Sequence, residues 1–183
     1  MSSATLRRAH KISPVAAVQM EYSPFTLDIE RSSGTNLLET CRELGVAVVC
    51  YSPLGRGLLT GAFTSRESIS DANDFRATHY PRFSEENLEA NVKLVNQFKA
   101  LADKKGCTAS QLAIAWILKQ GDDMIPIPGT KKIKYLEENW SSLNVHLTDD
   151  EEAEIRKFVE SAEVLGCGSA GKAFEFVNTK EEA

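Results

Sequence analysis

Two stretches of the sequence carry residues suited to ligand binding, and each directly follows an apolar run. The first, residues 50–61, contains Tyr51 and glycines at 55, 57 and 61. The glycines permit tight turns and a close approach of a ligand to the backbone, and the tyrosine ring could stack on a flat group. Ligands of α/β proteins bind at the C-terminal ends of parallel strands. An ordinary strand-to-helix turn is the alternative, and the glycines alone leave the two readings equally open.

The second stretch, residues 127–139, has the composition of an anion site. Thr130 is predicted to cap a helix with three lysines in its first turn: Lys131, Lys132 and Lys134. Cations at a helix N-terminus oppose the helix dipole, and a bound phosphate would relieve the conflict. The alternative is a solvated basic turn that Glu137 and Glu138 balance.

A pair of polar residues interrupts the first apolar run, residues 15–22. Gln19 and Glu21 are two positions apart, so in a strand they share one face. Buried polar groups need hydrogen-bond partners. A ligand and a buried internal network both satisfy that requirement, and both interpretations stay open.

Reactive groups are sparse. The three histidines stand alone, without a cysteine, serine or carboxylate pattern that would form a catalytic triad: His10, His79 and His146. The four cysteines lie far apart, with no metal-ligand spacing: Cys41, Cys50, Cys107 and Cys167. They are predicted to be reduced structural thiols, which indicates a cytoplasmic protein without a metal site.

Hydrophobic periodicity predicts alternating strands and helices. Strands are predicted at 15–22, 46–50 and 124–127. Helices are predicted at 3–11, 36–44, 85–105, 112–118 and 131–140, with a last one after Thr148. This order is typical of an α/β parallel sheet. Three strands leave two open edges and cannot close a barrel, so the pattern predicts part of a larger fold. One domain is expected over 1–165, with a loosely ordered tail over 166–183.

Composition excludes several functional classes. The chain has 183 residues and a formal net charge of −5, from 21 Lys+Arg and 26 Asp+Glu. A mildly acidic chain without a long basic run argues against nucleic acid or an anionic membrane as the main partner. No stretch approaches the roughly 20 apolar residues of a membrane span.

Four ordered motifs resemble the aldo-keto reductase family, and most closely its pyridoxal reductase-like branch. They are Val18–Pro24 (VQMEYSP), Tyr51–Gly61 (YSPLGRGLLTG), Asp74–Asn87 and Ile127–Asn139. The resemblance runs from residue 3 to about residue 164. It implies a (β/α)8 TIM-barrel oxidoreductase that uses NADPH to reduce aldehydes and ketones, of which this chain corresponds to strands six to eight with their helices.

The resemblance also implies roles for individual residues. Gln19 corresponds to the residue that binds the nicotinamide carboxamide, and Tyr51 to the aromatic residue on which nicotinamide stacks. Four residues correspond to the pyrophosphate loop: Ser52, Leu54, Gly55 and Arg56. Thr130 and its neighbouring lysines, chiefly Lys131 and Lys134, correspond to the residues that bind the 2′-phosphate of NADP. Glu138 and Asn139 correspond to the residues that contact the adenine.

Two positions in the expected phosphate site depart from the family pattern. Gly129 and Tyr135 stand where many members have a lysine and an arginine. Lys131, Lys132 or Lys134 is expected to take over the phosphate, which keeps NADP as the expected cofactor in place of NAD.

The family's catalytic Asp, Tyr, Lys and His lie on the first four strands, and none has a counterpart in this sequence. Without the tyrosine that protonates the carbonyl oxygen, the isolated chain is expected to be an inactive, truncated form. It would act on a small carbonyl substrate only when the missing half completes it. Two alternatives are one half of a split reductase and a non-catalytic NADP-binding or regulatory subunit. The oligomeric state is left open.

Overall fold

A three-stranded parallel sheet organises the chain. The structure is a computed structural model, and it describes residues 1–69, 74–166 and 176–179. The strands β1 (Ala17–Glu21), β2 (Ala47–Tyr51) and β3 (Met124–Pro126) are ordered β1-β2-β3. Val18 pairs with Val48, which in turn pairs with Met124. The predicted parallel α/β arrangement of three strands is therefore confirmed.

Seven α-helices connect and cover these strands in the described part of the chain. They are α1 (Ser3–Ile12), α2 (Leu37–Leu44), α3 (Arg76–His79), α4 (Glu85–Lys105), α5 (Ala109–Lys119), α6 (Ile133–Trp140) and α7 (Asp149–Ser161). The predicted capping boxes before α5 and α7 are present, with Thr108 and Thr148 as N-caps. Gly106 ends α4 in the left-handed conformation, with φ 77°, which a glycine adopts without steric cost.

The predicted cap of α6 is wrong. The helix begins at Ile133 with Lys132 as N-cap, and the Thr130 hydroxyl instead accepts the backbone N–H of Lys132 at 3.1 Å. This local turn competes with helix formation and delays the start of the helix. Lys131 and Lys132 therefore precede the helix, and only Lys134 lies in its first turn.

The hydrophobic core lies between the helices and one face of the sheet. Val18, Met20 and Val48 point into it from the strands and are buried. Trp116 of α5 is fully buried and stacks on Tyr22, with ring centroids 5.7 Å apart. Alternation along each strand thus assigns every second residue to the helical side.

The opposite face of the sheet is open in the part of the chain that the structure describes. Gln19 and Ile125 are exposed, and Val49 between them is half-buried. Parallel sheets in proteins are covered on both faces. The described residues therefore leave this face of the sheet without the covering layer that is usual for a parallel sheet.

Most of the predicted tail, residues 167–175 and 180–183, lies outside the described residues. Of the remainder, Thr179 contacts α1: its carbonyl oxygen accepts from Arg8 at 2.9 Å, and its N–H donates to Thr5 at 3.0 Å. The division into a domain and a loose tail stays a prediction. None of the described helices combines the length and the apolar character that crossing a bilayer requires.

Candidate functional site

A cleft of about 720 Å³ opens at the C-terminal ends of β2 and β3. One wall is the loop after β2, with Ser52, Leu54 and Arg56, and the other begins after β3 and includes Thr130. Parallel α/β sheets bind their ligands at this end of the strands. The volume falls within the range of roughly 300–1,000 Å³ found for small-molecule sites.

The loop after β2 is tightly wound. It leads into a 3-10 segment, Gly55–Thr60, that is kinked at Arg56 and Gly57, and not directly into an α-helix, so it is not an ordinary strand-to-helix turn. Arg56 and Gly57 both have positive φ, at 58° and 93°, and a Cβ on Gly57 would lie 2.8 Å from the Phe63 ring. A glycine is therefore needed at position 57, both for its conformation and for its close approach to an aromatic ring.

Arg76 of α3 forms a second part of this wall. Its Nε donates to Asp74 at 2.8 Å, and its guanidinium lies 4.1 Å from the centre of the Phe63 ring. Arg56 lies 4.2 Å from the centre of the Tyr80 ring. The hydrogen bonds from Arg76 hold the pKa of the Asp74 carboxyl below its usual value, so the pair stays charged at neutral pH.

Lys132 is the lysine that reaches the cleft on the β3 side. It lines the cleft with Thr130 and Tyr135, whose ring centre is 5.6 Å from the lysine Nζ. A Cβ on Gly129 would meet no atom within 4 Å, so the backbone there faces open space. With Arg56 and Arg76, Lys132 gives the cleft three cationic side chains.

The end of the cleft nearest α6 is polar. Glu138 accepts a hydrogen bond from the Thr108 hydroxyl at 2.8 Å. Asn139 and Ser110 are buried beside it and also line the cleft. These groups suit a ligand portion with hydrogen-bonding edges, such as a heterocyclic base.

The cleft brings together six of the residues predicted from sequence: Ser52, Leu54, Arg56, Thr130, Glu138 and Asn139. The other five predicted residues lie elsewhere. Gly55 is buried within the loop, and Lys131 and Lys134 are exposed outside the cleft lining. Gln19 and Tyr51 lie on the open face of the sheet, where Gln19 pairs with Val49.

Glu21 and Gln19 have different environments although they share a face. Gln19 is exposed, whereas Glu21 is buried. The Glu21 carboxylate accepts from Thr26 at 3.3 Å and lies 3.9 Å from the Arg82 guanidinium, which is also buried. The buried-network interpretation therefore holds for Glu21, whereas the exposed Gln19 side chain of this pair remains accessible to a ligand.

Sequence reasoning missed Arg76, Ser110 and Phe63 as cleft residues. Arg76 lies in one of the four motifs, and the motif's Asp74-x-Arg spacing is the signal that could have indicated an ion pair. Ser110 and Phe63 carried no comparable signal. No group of three or more potential metal ligands is found among the residues that the structure describes.

The architecture is that of an α/β protein with a cleft at the C-terminal ends of its parallel strands. The profile of the Aldo/keto reductase family matches residues 1–160. The chain belongs to the aldo-keto reductase family.

Two fungal relatives are similar over nearly the whole chain. Aldo-keto reductase str7 of Strobilurus tenacellus is 48% identical over 180 residues, which are 98% of this chain and 53% of that protein. Aldo-keto reductase yakc [NADP(+)] of Schizosaccharomyces pombe is 46% identical over 177 residues, 94% of this chain and 51% of that protein. The chain spans about half the length of these relatives.

Solved structures show the same architecture. The glycerol dehydrogenase AKR11B4 from Gluconobacter oxydans superposes with a TM-score of 0.73 at 25% identity, over 87% of this chain and 46% of that one. The thermostable aldo-keto reductase Tm1743 superposes with a TM-score of 0.59 at 24% identity, over 86% of this chain and 46% of that one, and supports the fold alone. The family membership makes the chain part of an oxidoreductase family.

Proposed function

We propose that the cleft binds NADP(H) and that the chain is the cofactor-binding part of an NADPH-dependent aldo-keto reductase, corresponding to strands six to eight of a (β/α)8 barrel. The observation that carries the proposal is the convergence of Arg56, Arg76 and Lys132 on one cleft. Three cations suit the pyrophosphate and the 2′-phosphate of NADP, because guanidinium and ammonium groups bind phosphate oxygens strongly.

The residues present fit this cofactor in chemistry and in space. Ser52 and Thr130 offer hydroxyl donors on opposite walls, and the open backbone at Gly129 leaves room for a phosphate. Glu138 and Asn139 offer an acceptor and an amide for the adenine edge. The Schizosaccharomyces pombe relative carries NADP(+) in its name, which supports the same cofactor here.

Gln19 and Tyr51 are proposed to hold the nicotinamide ring. They lie on the open face of the sheet, and Ser52, which directly follows Tyr51, already lines the cleft. A cofactor that extends from the cleft over this face would place its ring against the tyrosine. When bound, NADPH supplies the hydride for carbonyl reduction, and the side chains named here bind and orient it.

The proposal includes no proton donor from this chain. Neither the described histidines nor Tyr80 are among the residues that line the cleft, and the resemblance assigns the catalytic tetrad to strands outside this sequence. Reduction of an aldehyde or ketone is therefore proposed only for the completed barrel. The described thiols Cys41, Cys50 and Cys107 are free, which is consistent with the reducing cytoplasm as the proposed location.

Calorimetric titration of the purified chain with NADPH tests cofactor binding, and a carbonyl-reduction assay on the same sample tests turnover. We expect saturable binding without turnover. Absence of binding by a folded chain would refute the cofactor proposal. Turnover by the isolated chain would show that a residue of this chain supplies the proton.

The open face of the sheet favours one half of a split reductase as the second candidate. A non-catalytic NADP-binding subunit predicts the same calorimetry. A carbonyl-reduction assay after addition of the missing half distinguishes these two candidates, because only a split reductase then gains turnover.

A further inference from the structure

The polar end of the cleft contains two buried polar side chains. Asn139 and Ser110 line the cleft although only 8% and 5% of their surface is exposed. Within the described part of the chain, neither the Asn139 amide group nor the Ser110 hydroxyl makes a hydrogen bond. Buried polar groups are normally hydrogen-bonded. A ligand with polar edges, bound at this end of the cleft, would supply the partners.

One face of α6 suits a flat base. Tyr135, Glu138 and Asn139 all line the cleft, and their spacing of three and four residues places them on the same side of the helix. An aromatic ring offers a stacking surface to any base. The carboxylate and the amide offer hydrogen bonds to the edge of the base. This face therefore combines stacking with recognition of an edge.

Thr108 holds Glu138 from outside the cleft lining. As the N-cap of α5, it donates its hydroxyl proton to Glu138 Oε1 at 2.8 Å. The same hydroxyl accepts the backbone N–H of Gln111 at 3.2 Å, and Gln111 Oε1 accepts the Thr108 N–H at 3.0 Å. A hydroxyl has one proton to donate. Because the capping box uses the hydroxyl only as an acceptor, that proton is left for Glu138.

This hydrogen bond determines what Glu138 offers to a ligand. Thr108 occupies Oε1, and Oε2 has no partner among the described residues. A carboxylate accepts hydrogen bonds and does not donate them, so a base that meets Oε2 must present a donor. An asparagine amide can pair with the amino group and the ring nitrogen of adenine. The two protons of that amino group would then bind Glu138 and Asn139.

We propose that Thr108 is a positioning residue for base recognition: it fixes Glu138 as an acceptor, and the cleft thereby selects adenine over hypoxanthine, the base with a carbonyl oxygen in place of the amino group. The inference rests on the proposed function, because it concerns how the cleft distinguishes the base of the cofactor. Thr108 itself acts through Glu138 and is not a cleft-lining residue.

Calorimetric titration with NADPH and with its hypoxanthine analogue, deamino-NADPH, tests the proposal. We call the ratio of the two dissociation constants the base selectivity. The wild-type chain should bind NADPH about tenfold more tightly, because the carbonyl oxygen of hypoxanthine would face an acceptor. Thr108→Val should lower the base selectivity about threefold or more, because Glu138 is then free to turn. Thr108→Ser keeps the hydroxyl and should keep the wild-type base selectivity.

Thr148→Val is the matched control for the loss of a helix cap. Thr148 caps α7 through the same kind of capping box, with Glu151, and does not line the cleft. Loss of an N-cap lowers stability in both valine variants, and a purely structural role of Thr108 would weaken both cofactors equally. The base selectivity should therefore be unchanged in Thr148→Val and reduced only in Thr108→Val.

Thr108→Asp covers the case in which the valine variant fails to fold. Aspartate is a favourable N-cap, but its carboxylate has no hydroxyl proton to donate to Glu138, so base selectivity should again fall. Equal affinity of the wild-type chain for the two cofactors would overturn this inference alone. So would wild-type base selectivity in folded Thr108→Val or Thr108→Asp. Absence of NADPH binding by the folded wild-type chain would instead refute the cofactor proposal, and this inference with it.

Discussion

The Arg76 guanidinium donates a hydrogen bond to the backbone carbonyl oxygen of Arg56 at 3.2 Å. Two segments twenty residues apart thereby form one wall of the cleft. Asp74 binds the other edge of the Arg76 guanidinium, so the side chain is oriented from both ends. The loop after β2 is thus held by a charged group that itself lines the cleft.

Arg76→Ala should weaken NADPH binding about tenfold, because it removes a cation from the cleft and a bond that holds the loop. Hydrogen bonds to charged groups contribute about 1.5–3 kcal/mol and a tenfold change is about 1.4 kcal/mol, so a tenfold loss is the low end expected for this partly exposed side chain. Calorimetric titration gives the dissociation constant. Arg7→Ala is the control, since Arg7 pairs with Glu43 on the surface and is not a cleft residue. Equal affinities for NADPH in the two variants would contradict the role of Arg76.

Gly57→Ala should destabilise the fold by roughly 1–3 kcal/mol, the usual cost of a residue forced into left-handed backbone. The new methyl group would also press on the Phe63 ring at 2.8 Å. Gly129→Ala is the control, because its methyl group would enter open space. Urea denaturation followed by circular dichroism measures the free energy of unfolding of both variants. A Gly57→Ala midpoint as high as that of Gly129→Ala would show that the loop can relax at no cost.

Lys132→Ala should raise the dissociation constant for NADPH more than that for NADH. Lys132 lines the cleft beside Tyr135, whereas Lys131 lies outside the lining. Lys131→Ala should therefore change the NADPH-to-NADH preference much less. Calorimetric titration of both variants with NADPH and with NADH gives the four dissociation constants that are compared. If Lys131→Ala loses more of the NADPH-to-NADH preference than Lys132→Ala does, Lys131 binds the 2′-phosphate, as the sequence predicted.

The chain should lose stability as pH rises above about 9. Burial raises the pKa of the Cys50 thiol to about 12 and that of Cys41 to about 11, from an ordinary 9.0. Between these values the unfolded chain has released protons that the folded chain retains. The free energy of unfolding then falls by about 1.4 kcal/mol per pH unit for each thiol.

Urea midpoints between pH 7 and pH 11 measure this dependence. Cys50→Ala should lower the midpoint at every pH, because it leaves a cavity, but it should make the alkaline decline shallower. An unchanged slope in the variant would mean that Cys50 is not one of the groups responsible.

Local sequence patterns were sufficient to predict the order and type of the main elements. The capping boxes at Thr108 and Thr148 and the glycine at 106 each act within a few residues, so their effect can be predicted from the sequence without knowledge of the fold. The β-branched run before Cys50 likewise indicates a buried parallel strand. Thr130 is the exception, because a competing local turn with Lys132 delayed the helix.

Residue types and motifs also indicated where the cleft lies. Ser52, Arg56 and Thr130 follow the strands directly, and strand ends meet at one edge of a parallel sheet. The choice among the lysines was not predictable in this way. It depends on the direction in which a short, mostly exposed irregular segment leaves β3.

The sequence by itself determined the strand and helix order, the family and the two segments that form the cleft, because these depend on local propensity, periodicity and motif spacing. Only the tertiary structure decided that Arg76 joins the cleft and that Glu21 is buried while Gln19 is exposed. Alternation assigns a side chain to a face of a strand or helix. What covers that face is decided by contacts between residues far apart in the chain.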